Sequence, residues 1–245
     1  MDSEDFATDA RWRRAVALTA LAGGIVLVGL TVAMIALRAG SPSGQDLDLA
    51  AATQKPALYR VAMILDVCAW LGIGSVLIAF AAMWSSRAPV RTLFLAACGI
   101  GQLLGMAGGF IRLEVVLGLG SVSGDNQLVL AIGRTVELLI STLFGAGALL
   151  TGAGLVLLAW TAVTLKALPR WVIGATAALA LYRLVSVSAM AAGLPIPDSF
   201  PGLPLSFLLN IVMFFAFAVL FRGPAQPVRS AGARLAPSVG RLPDR

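Results

Sequence analysis

The sequence predicts an all-α protein, a polytopic transmembrane bundle of six helices with both termini in the cytoplasm. Hydrophobic residues make up 59% of the 245 residues, well above the share found in soluble domains. Charged residues make up only 12%, and the mean hydropathy is +0.92. The apolar residues also fall into runs of roughly 20 residues or more, which is the length that a helix needs to cross a bilayer.

The first two spans are predicted at Ala15–Leu37 and Leu58–Trp84. Arg11, Arg13 and Arg14 precede the first span, and such a basic start is also typical of a secretory signal peptide. The apolar stretch is about twice as long as the hydrophobic part of a signal peptide, and no convincing cleavage site follows it. We therefore expect the first span to be retained as a transmembrane helix.

The third span is predicted at Thr92–Leu117, and small residues recur in it at every fourth position. These residues are Ala97, Gly101, Gly105 and Gly109. Small side chains at this interval lie on one face of a helix and let a neighbouring backbone approach closely. The pattern predicts tight packing within the bundle rather than a homodimer interface.

The fourth span, Glu137–Leu165, belongs to an apolar stretch that already starts at Gln127. A helix over the whole stretch would be roughly 58 Å long at about 1.5 Å per residue, against a hydrocarbon core of about 30 Å. We expect its first turns to project beyond the membrane or to form a separate outer segment.

The last two spans are predicted at Trp171–Ala192 and Pro204–Phe221. The loop between them contains Pro195, Pro197 and Pro201, so we expect it to be stiff and non-helical. Proline is well suited to the first turn of a helix, which places the start of the sixth span at Pro204.

The orientation follows from the Lys and Arg residues, because cytoplasmic loops carry an excess of them. With the N-terminus inside, the inner side holds twelve basic residues: Arg11, Arg13, Arg14, Arg87, Arg91, Lys166, Arg170, Arg222, Arg229, Arg234, Arg241 and Arg245. The second and third outer loops contain Asp125 and Asp198, and no basic residue apart from Arg134 at the outer start of the fourth span. The predicted organisation is therefore a cytoplasmic tail over 1–14, a transmembrane domain over 15–222 and a basic, disordered cytoplasmic tail over 223–245. Because the inner loops and this tail account for most of the net charge of +6, no nucleic-acid partner is expected.

Charged residues within the spans are the candidates for function, because a charge in hydrocarbon is costly unless it is paired or hydrated. The predicted ligand-binding residues are Asp66, Arg112, Arg134, Glu137 and Arg183. Secondary candidates are Arg60, Gln102, Glu114, Tyr182 and Asn210. All of the charged candidates are predicted at mid-depth or in the extracytoplasmic half of the membrane.

Spacing within each helix limits how these charges can be arranged. Arg134 and Glu137 are three residues apart, share a helix face and are able to pair. Arg112 and Glu114 are two residues apart and point to nearly opposite sides, so only one of them can face the centre of the bundle. We expect Arg112 to face inward and Glu114 to lie nearer the interface.

Several enzymatic classes are excluded by the absence of histidine. A His-ligated metal, a Ser-His or Cys-His pair and a histidine proton shuttle all require that residue. Three acidic residues among four arginines make a poor cation site, so neither a metal nor another cofactor is expected. The sequence does not exclude catalysis and contains no motif that supports it.

Three segments resemble a family of uncharacterised bacterial six-helix integral membrane proteins, one of the domain-of-unknown-function families. They are AATQKPALYRVAMILDVCAWLGIG around the second span, GGFIRLEV in the third span and PRWVIGATAALALYRLVSV in the fifth span. In that family an arginine near the helix start is followed about six residues later by an aspartate, as Arg60 and Asp66 are here. The resemblance implies the six-helix fold in a bacterial inner (plasma) membrane and no established activity.

The sequence leads to three functional hypotheses. The first is that the arginine-rich residues line an outer pocket for a small polar or anionic molecule or a lipid head group, for transport or sensing. The second is a structural or partner-binding membrane protein whose intramembrane charges only lock the bundle. The third is a membrane enzyme acting on a lipid-linked substrate through Glu114 or Glu137. The lipid bilayer is the expected partner, and the oligomeric state is left open.

Overall fold

The computed structural model describes residues 3–38, 54–120, 127–192 and 205–222 of the chain. All regular structure in these ranges is helical. The seven helices are α1 (Ser3–Arg38), α2 (Pro56–Trp84), α3 (Pro89–Ile100), α4 (Leu103–Gly120), α5 (Gln127–Leu165), α6 (Arg170–Ala191) and α7 (Leu205–Arg222). The all-α prediction is confirmed for the part of the chain described.

Five segments are long and apolar enough to cross a membrane: Ala10–Leu37, Pro56–Trp84, Pro89–Val116, Thr135–Leu165 and Arg170–Ala189. The third of these consists of α3 and α4 together. A sixth, shorter apolar helix covers Phe207–Arg222 within α7. The fold is thus an apolar helical bundle compatible with an integral membrane protein.

Two helices extend beyond the predicted spans. α1 begins at Ser3, so residues that were expected to form an N-terminal tail continue the first helix. α5 is one continuous helix over Gln127–Leu165 and includes the turns that were expected to project from the membrane. The predicted basic tail over 223–245 lies outside the described residues.

The helices form a closed ring in the order of the chain. α2 packs against α1 and against both α3 and α4, α5 packs against α3, α4 and α6, and α7 packs against α6 and α1. The contact of α7 with α1 closes the ring, and a smaller contact joins α2 and α5. Within it, the ring of Phe214 in α7 packs directly on Gly23 of α1.

One end of the bundle is built from aromatic and basic residues. Phe80 lies 5.0 Å from both Trp84 and Phe217 and 5.3 Å from Phe221, measured between ring centroids. The guanidinium of Arg13 lies 5.1 Å from the centroid of Phe221. The start of α1, the ends of α2, α5 and α7 and the starts of α3 and α6 lie at this end, which we call the basic end.

The third span is interrupted between α3 and α4, at Gly101 and Gln102. The backbone N–H of Gln102 donates to the carbonyl of Gly99 at 3.2 Å and leaves the carbonyl of Cys98 without its usual helical donor. The side-chain Nε2 of Gln102 donates to that carbonyl instead, at 2.8 Å, and its Oε1 accepts from the hydroxyl of Thr151 in α5, also at 2.8 Å. Gln102 is buried, and its side chain therefore repairs the break from within the bundle.

The close crossing of α2 and α3 requires glycine at one point of contact. A Cβ atom on Gly74 would lie 2.7 Å from the carbonyl oxygen of Gly99, and a Cβ on Gly99 would lie 2.9 Å from the carbonyl oxygen of Gly74. Both neighbours are backbone atoms and cannot rotate away. The two helices can approach this closely only because neither residue carries a side chain.

The predicted small-residue face of the third span is divided between neighbours. Gly105 and Gly109 face α2, whereas Gly101 faces Leu150 of α5 and Ala97 is exposed. The break at Gln102 separates the first two positions from the last two, so the four residues do not form one continuous packing surface.

Candidate functional site

Asp66 is a half-buried carboxyl group ten residues into α2, in the half of that helix away from the basic end. The indole of Trp70, one helical turn further along α2, hydrogen-bonds to the Asp66 side chain. Tryptophan can only donate, so the indole N–H is the donor and the carboxyl group accepts. On the α4 side the Asp66 Oδ2 atom faces Gly109, 3.6 Å from where a Cβ would stand.

The Trp70 ring fills the space among α2, α4 and α5. A Cβ on Gly105 of α4 would overlap the indole, and a Cβ on Gly147 of α5 would lie 3.0 Å from it. On α5 the ring stacks on Phe144, with centroids 5.8 Å apart and planes inclined by 19°. The glycines thus make room for the ring that holds Asp66 in place.

Arg112 joins this arrangement from α4. Its guanidinium carbon lies 5.9 Å from the centroid of Phe144, within the usual range of a cation–π contact, and the side chain is half-buried. Arg112 also interacts electrostatically with Glu137 of α5, which is exposed. Glu114, two residues further along α4, is exposed.

Arg183 of α6 is half-buried and interacts electrostatically with Asp66. It lies thirteen residues after Arg170, the start of α6 at the basic end, which corresponds to about 20 Å along the helix. Its neighbour Tyr182 is also half-buried. A charge on α6 thus acts on a charge on α2, and both residues are half-buried.

These contacts define one group of side chains, which we call the Trp70 cluster. Its six members are Asp66, Trp70, Arg112, Glu137, Phe144 and Arg183. They come from α2, α4, α5 and α6, and their formal charges sum to zero. The cluster combines two carboxyl groups, two guanidinium groups and two aromatic faces.

Tyr59, two helical turns before Asp66 on the same helix, brings a phenol toward the cluster. The residue is fully buried, and electrostatic interaction links its phenol to Asp66. No hydrogen-bond partner for its hydroxyl occurs among the described residues. A buried hydroxyl without a partner has a donor and two acceptor sites available to a further polar group.

The remaining predicted residues are placed differently. Arg60 is exposed near the start of α2, and Asn210 is fully buried in α7. Gln102 bridges Cys98 and Thr151 at the helix break. Arg134 lies on α5, but its side chain is outside the described part of the structure.

Sequence reasoning missed Trp70, Phe144 and Tyr59. Trp70 follows Asp66 by four residues, an interval that places both on one helix face and was available as a signal. Tyr59 precedes Asp66 by seven residues, again on that face. Phe144 carries no such signal, because it meets Trp70 only through the packing of α5 against α2.

The chemistry of the cluster suits recognition of an anion better than binding of a metal. No group of three or more His, Cys, Asp and Glu residues that could hold a metal ion occurs within the described ranges. Guanidinium groups present five N–H donors in a planar fork that matches carboxylate and phosphate oxygens.

No protein-family model, curated protein or solved structure matches this chain.

Proposed function

We propose that the protein is a bacterial inner-membrane protein in which the Trp70 cluster binds a small anionic molecule or a lipid head group, for transport or sensing. Both termini lie in the cytoplasm in this proposal, and the cluster lies in the extracytoplasmic half. The functional role of the cluster rests on its composition and on its depth within the bundle.

The basic end supports the proposed orientation. Arg13, Arg91 and Arg222 all lie there, together with Arg87 and Arg170. Basic residues next to transmembrane helices favour the cytoplasmic side, and long apolar helices that start and end there span toward the opposite face. Asp66 and Arg112 then lie on the outer side of the midplane.

The observation that carries the proposal is a chain of interactions that runs from an arginine on one helix, through an aromatic pair and a carboxylate, to an arginine on another helix. Arg112 contacts Phe144, Phe144 stacks on Trp70, Trp70 binds Asp66, and Asp66 interacts with Arg183. A guanidinium that interacts with one carboxylate still has enough donors to bind an oxygen of a second anion. The buried hydroxyl of Tyr59 adds a donor next to this chain of contacts.

Ligand-dependent thermal stability of the purified protein tests this proposal. Wild type is screened in detergent against anionic metabolites and lipid head groups, and the same panel is applied to Arg183→Ala and Asp66→Ala. We expect at least one compound to raise the melting temperature of wild type and to lose that effect in both variants. Arg222→Ala, at the exposed end of α7, serves as the matched control and keeps the wild-type response. The proposal is wrong if correctly folded Arg183→Ala and Asp66→Ala respond to the panel as wild type does.

A purely structural role is the second candidate, and the pairing of the charges favours it. Asp66 on α2 interacts electrostatically with Arg183 on α6, and Arg112 on α4 interacts electrostatically with Glu137 on α5. Charges that neutralise one another across helices fix the arrangement of a bundle without binding anything else. This role predicts that Asp66→Asn lowers the melting temperature and that no compound restores it. A compound that restores the stability of Asp66→Asn would eliminate the structural role.

A further inference from the structure

A groove at the basic end lies outside the Trp70 cluster and opens on the outer surface of the bundle. It encloses about 740 Å³ between α3 and α6, with α5 as its floor. Phe94 of α3, Ala153, Val156 and Trp160 of α5 and Leu184 of α6 supply its apolar walls, and Arg91 of α3 supplies its one charge. Phe94, Val156 and Trp160 are among the exposed large apolar side chains, so the groove opens to the surface of the bundle.

The groove runs from the membrane interface toward the midplane. Trp160 lies five residues before the end of α5 and Ala153 lies twelve, which corresponds to about 8 Å and about 18 Å along the helix. Leu184 packs against Gly152 and closes the deep end. Its length and apolar walls match the upper part of a lipid acyl chain.

Arg91 is held in position at the interfacial end of the groove. Its Cζ lies 4.3 Å from the centroid of the Trp160 ring, and its Nη1 donates to the hydroxyl oxygen of Thr164 at 2.8 Å. That hydroxyl donates its own hydrogen to the carbonyl of Trp160 at 2.9 Å, which leaves its oxygen facing Arg91 as an acceptor. Two contacts thus fix the guanidinium before any ligand arrives.

None of the described carboxylates pairs with Arg91. Among the described residues, its guanidinium contacts a neutral hydroxyl and an aromatic face. Lys166 and Arg170 are exposed in the loop that follows α5 and at the start of α6, and Arg87 is exposed just before α3. The groove therefore combines an apolar channel, a guanidinium held in a fixed position and further basic residues near its opening at the basic end.

We infer that this groove binds a phospholipid with a net negative head group, its acyl chain along α5 and its phosphate on Arg91. Charge complementarity selects this occupant. A zwitterionic head group carries its own cation, which would be repelled by the basic side chains of Arg87, Lys166 and Arg170. The inference needs only that the basic end lies at a membrane interface, and it is independent of the function proposed for the Trp70 cluster.

Competition between two lipids with identical acyl chains tests the inference. The purified protein is equilibrated in detergent micelles with brominated phosphatidylglycerol or brominated phosphatidylcholine, and quenching of tryptophan fluorescence is measured. We expect phosphatidylglycerol to quench wild type at a several-fold lower concentration than phosphatidylcholine does. Trp160→Phe should lose most of this selective quenching, which assigns the signal to the groove rather than to the other tryptophans.

Two charge variants and one groove variant complete the test. Arg91→Gln should weaken the apparent binding of phosphatidylglycerol about fivefold and that of phosphatidylcholine little. The matched control Arg222→Gln, at the exposed end of α7 and outside the groove, keeps the wild-type preference. Ala153→Leu should weaken both lipids by filling the channel, and its melting temperature without lipid shows that it folds. Equal quenching of wild type by the two lipids, or equal losses in Arg91→Gln and Arg222→Gln, would overturn the inference.

Discussion

The indole N–H of Trp70 donates a hydrogen bond to Asp66, and both residues belong to α2. Trp70 donates to Asp66 from one turn away, and its ring is clamped by Gly105, Gly147 and Phe144. The ring thereby sets the position of the carboxyl group relative to the arginines around it. At the scale of residues, the cluster is organised by tryptophan as much as by charge.

Trp70→Phe is expected to lower the free energy of unfolding by about 1–3 kcal/mol, because a half-buried carboxyl group loses its donor while an aromatic ring is kept. Unfolding in mixed SDS and detergent micelles measures this difference. Trp84→Phe is the matched control, since it removes an indole from the same helix in a site packed on Phe80, away from any described carboxylate. Equal losses for the two variants would show that the hydrogen bond to Asp66 contributes nothing.

The positions of the charged residues along their helices could be predicted from sequence, and their partners could not. Counting residues along apolar runs places Asp66 and Arg183 in the interior of α2 and α6, because the rise per residue of a helix is constant. The pairing of Asp66 with Arg183 depends instead on how α2 and α6 are arranged in the ring. No local pattern encodes that distance, since more than 100 residues of chain separate the two side chains.

Among the elements, the third span shows how a side chain replaces a backbone donor. The break between α3 and α4 frees the carbonyl of Cys98, and Gln102 supplies the missing N–H while Thr151 satisfies its amide oxygen. In a membrane an unsatisfied carbonyl costs several kcal/mol, so a break at this depth requires such a partner. Gln102 therefore explains how the helix can be interrupted inside the bundle.

Gln102→Leu is expected to destabilise the protein by about 1–3 kcal/mol, because the carbonyl of Cys98 is left buried without a donor. Thr151→Val should cost less, since it keeps the bond from Gln102 to Cys98 and removes only the second one. Thermal melting of both variants in the same detergent measures the difference. A larger loss for Thr151→Val would contradict the role given to the Gln102 side chain.

The crossing of α2 and α3 leads to a prediction about glycine. Gly74→Ala should destabilise the bundle by about 1–3 kcal/mol, because the new methyl group meets the carbonyl of Gly99 and forces the helices apart. Gly145→Ala is the control, as nothing lies within 4 Å of a Cβ at that position. Alanine is the better helix former, so Gly145→Ala should be neutral or stabilising by up to about 1 kcal/mol. Similar melting temperatures for the two variants would refute the close-contact argument.

Element bounds were largely predictable, and the break in the third span was not. Long apolar runs ending at Trp84 and Leu165 mark the ends of α2 and α5, because the residues after them are polar or basic. Glycines at a four-residue interval indicate a continuous packing face, yet they also tolerate a break. The break is accommodated by the side chain of Gln102, which in turn bonds to Thr151 of another helix, and the pattern of glycines does not reveal this arrangement.

In the whole molecule, the closed ring of helices carries the basic residues at one end and the Trp70 cluster toward the other end. The six crossings predicted from the sequence, together with this distribution, predict that both termini are cytoplasmic. The long apolar segments follow from the sequence. The contact between α1 and α7 does not, because both helices are apolar on most sides and neither carries a pattern that identifies a neighbour.

Cysteine accessibility in intact cells tests the orientation. After replacement of Cys68 and Cys98 by alanine, Ser123→Cys in the predicted outer loop should react with a membrane-impermeant maleimide added outside. Ser85→Cys, in the exposed turn between α2 and α3, should react only after the membrane is permeabilised. Labelling of Ser85→Cys in sealed cells would reverse the proposed topology.

The packing of Phe214 on Gly23 has a consequence for biogenesis. At about 5–20 residues per second, the ribosome needs roughly 10 to 30 s to progress from Arg38 to Leu205, so α1 emerges long before its partner exists. During that interval the α1 surface that later receives α7 must be shielded by lipid or by the insertion machinery. Assembly of this bundle is therefore completed by its last helix. In a nascent chain that stops before α7, the surfaces of α1 and α6 that pack against α7 remain uncovered.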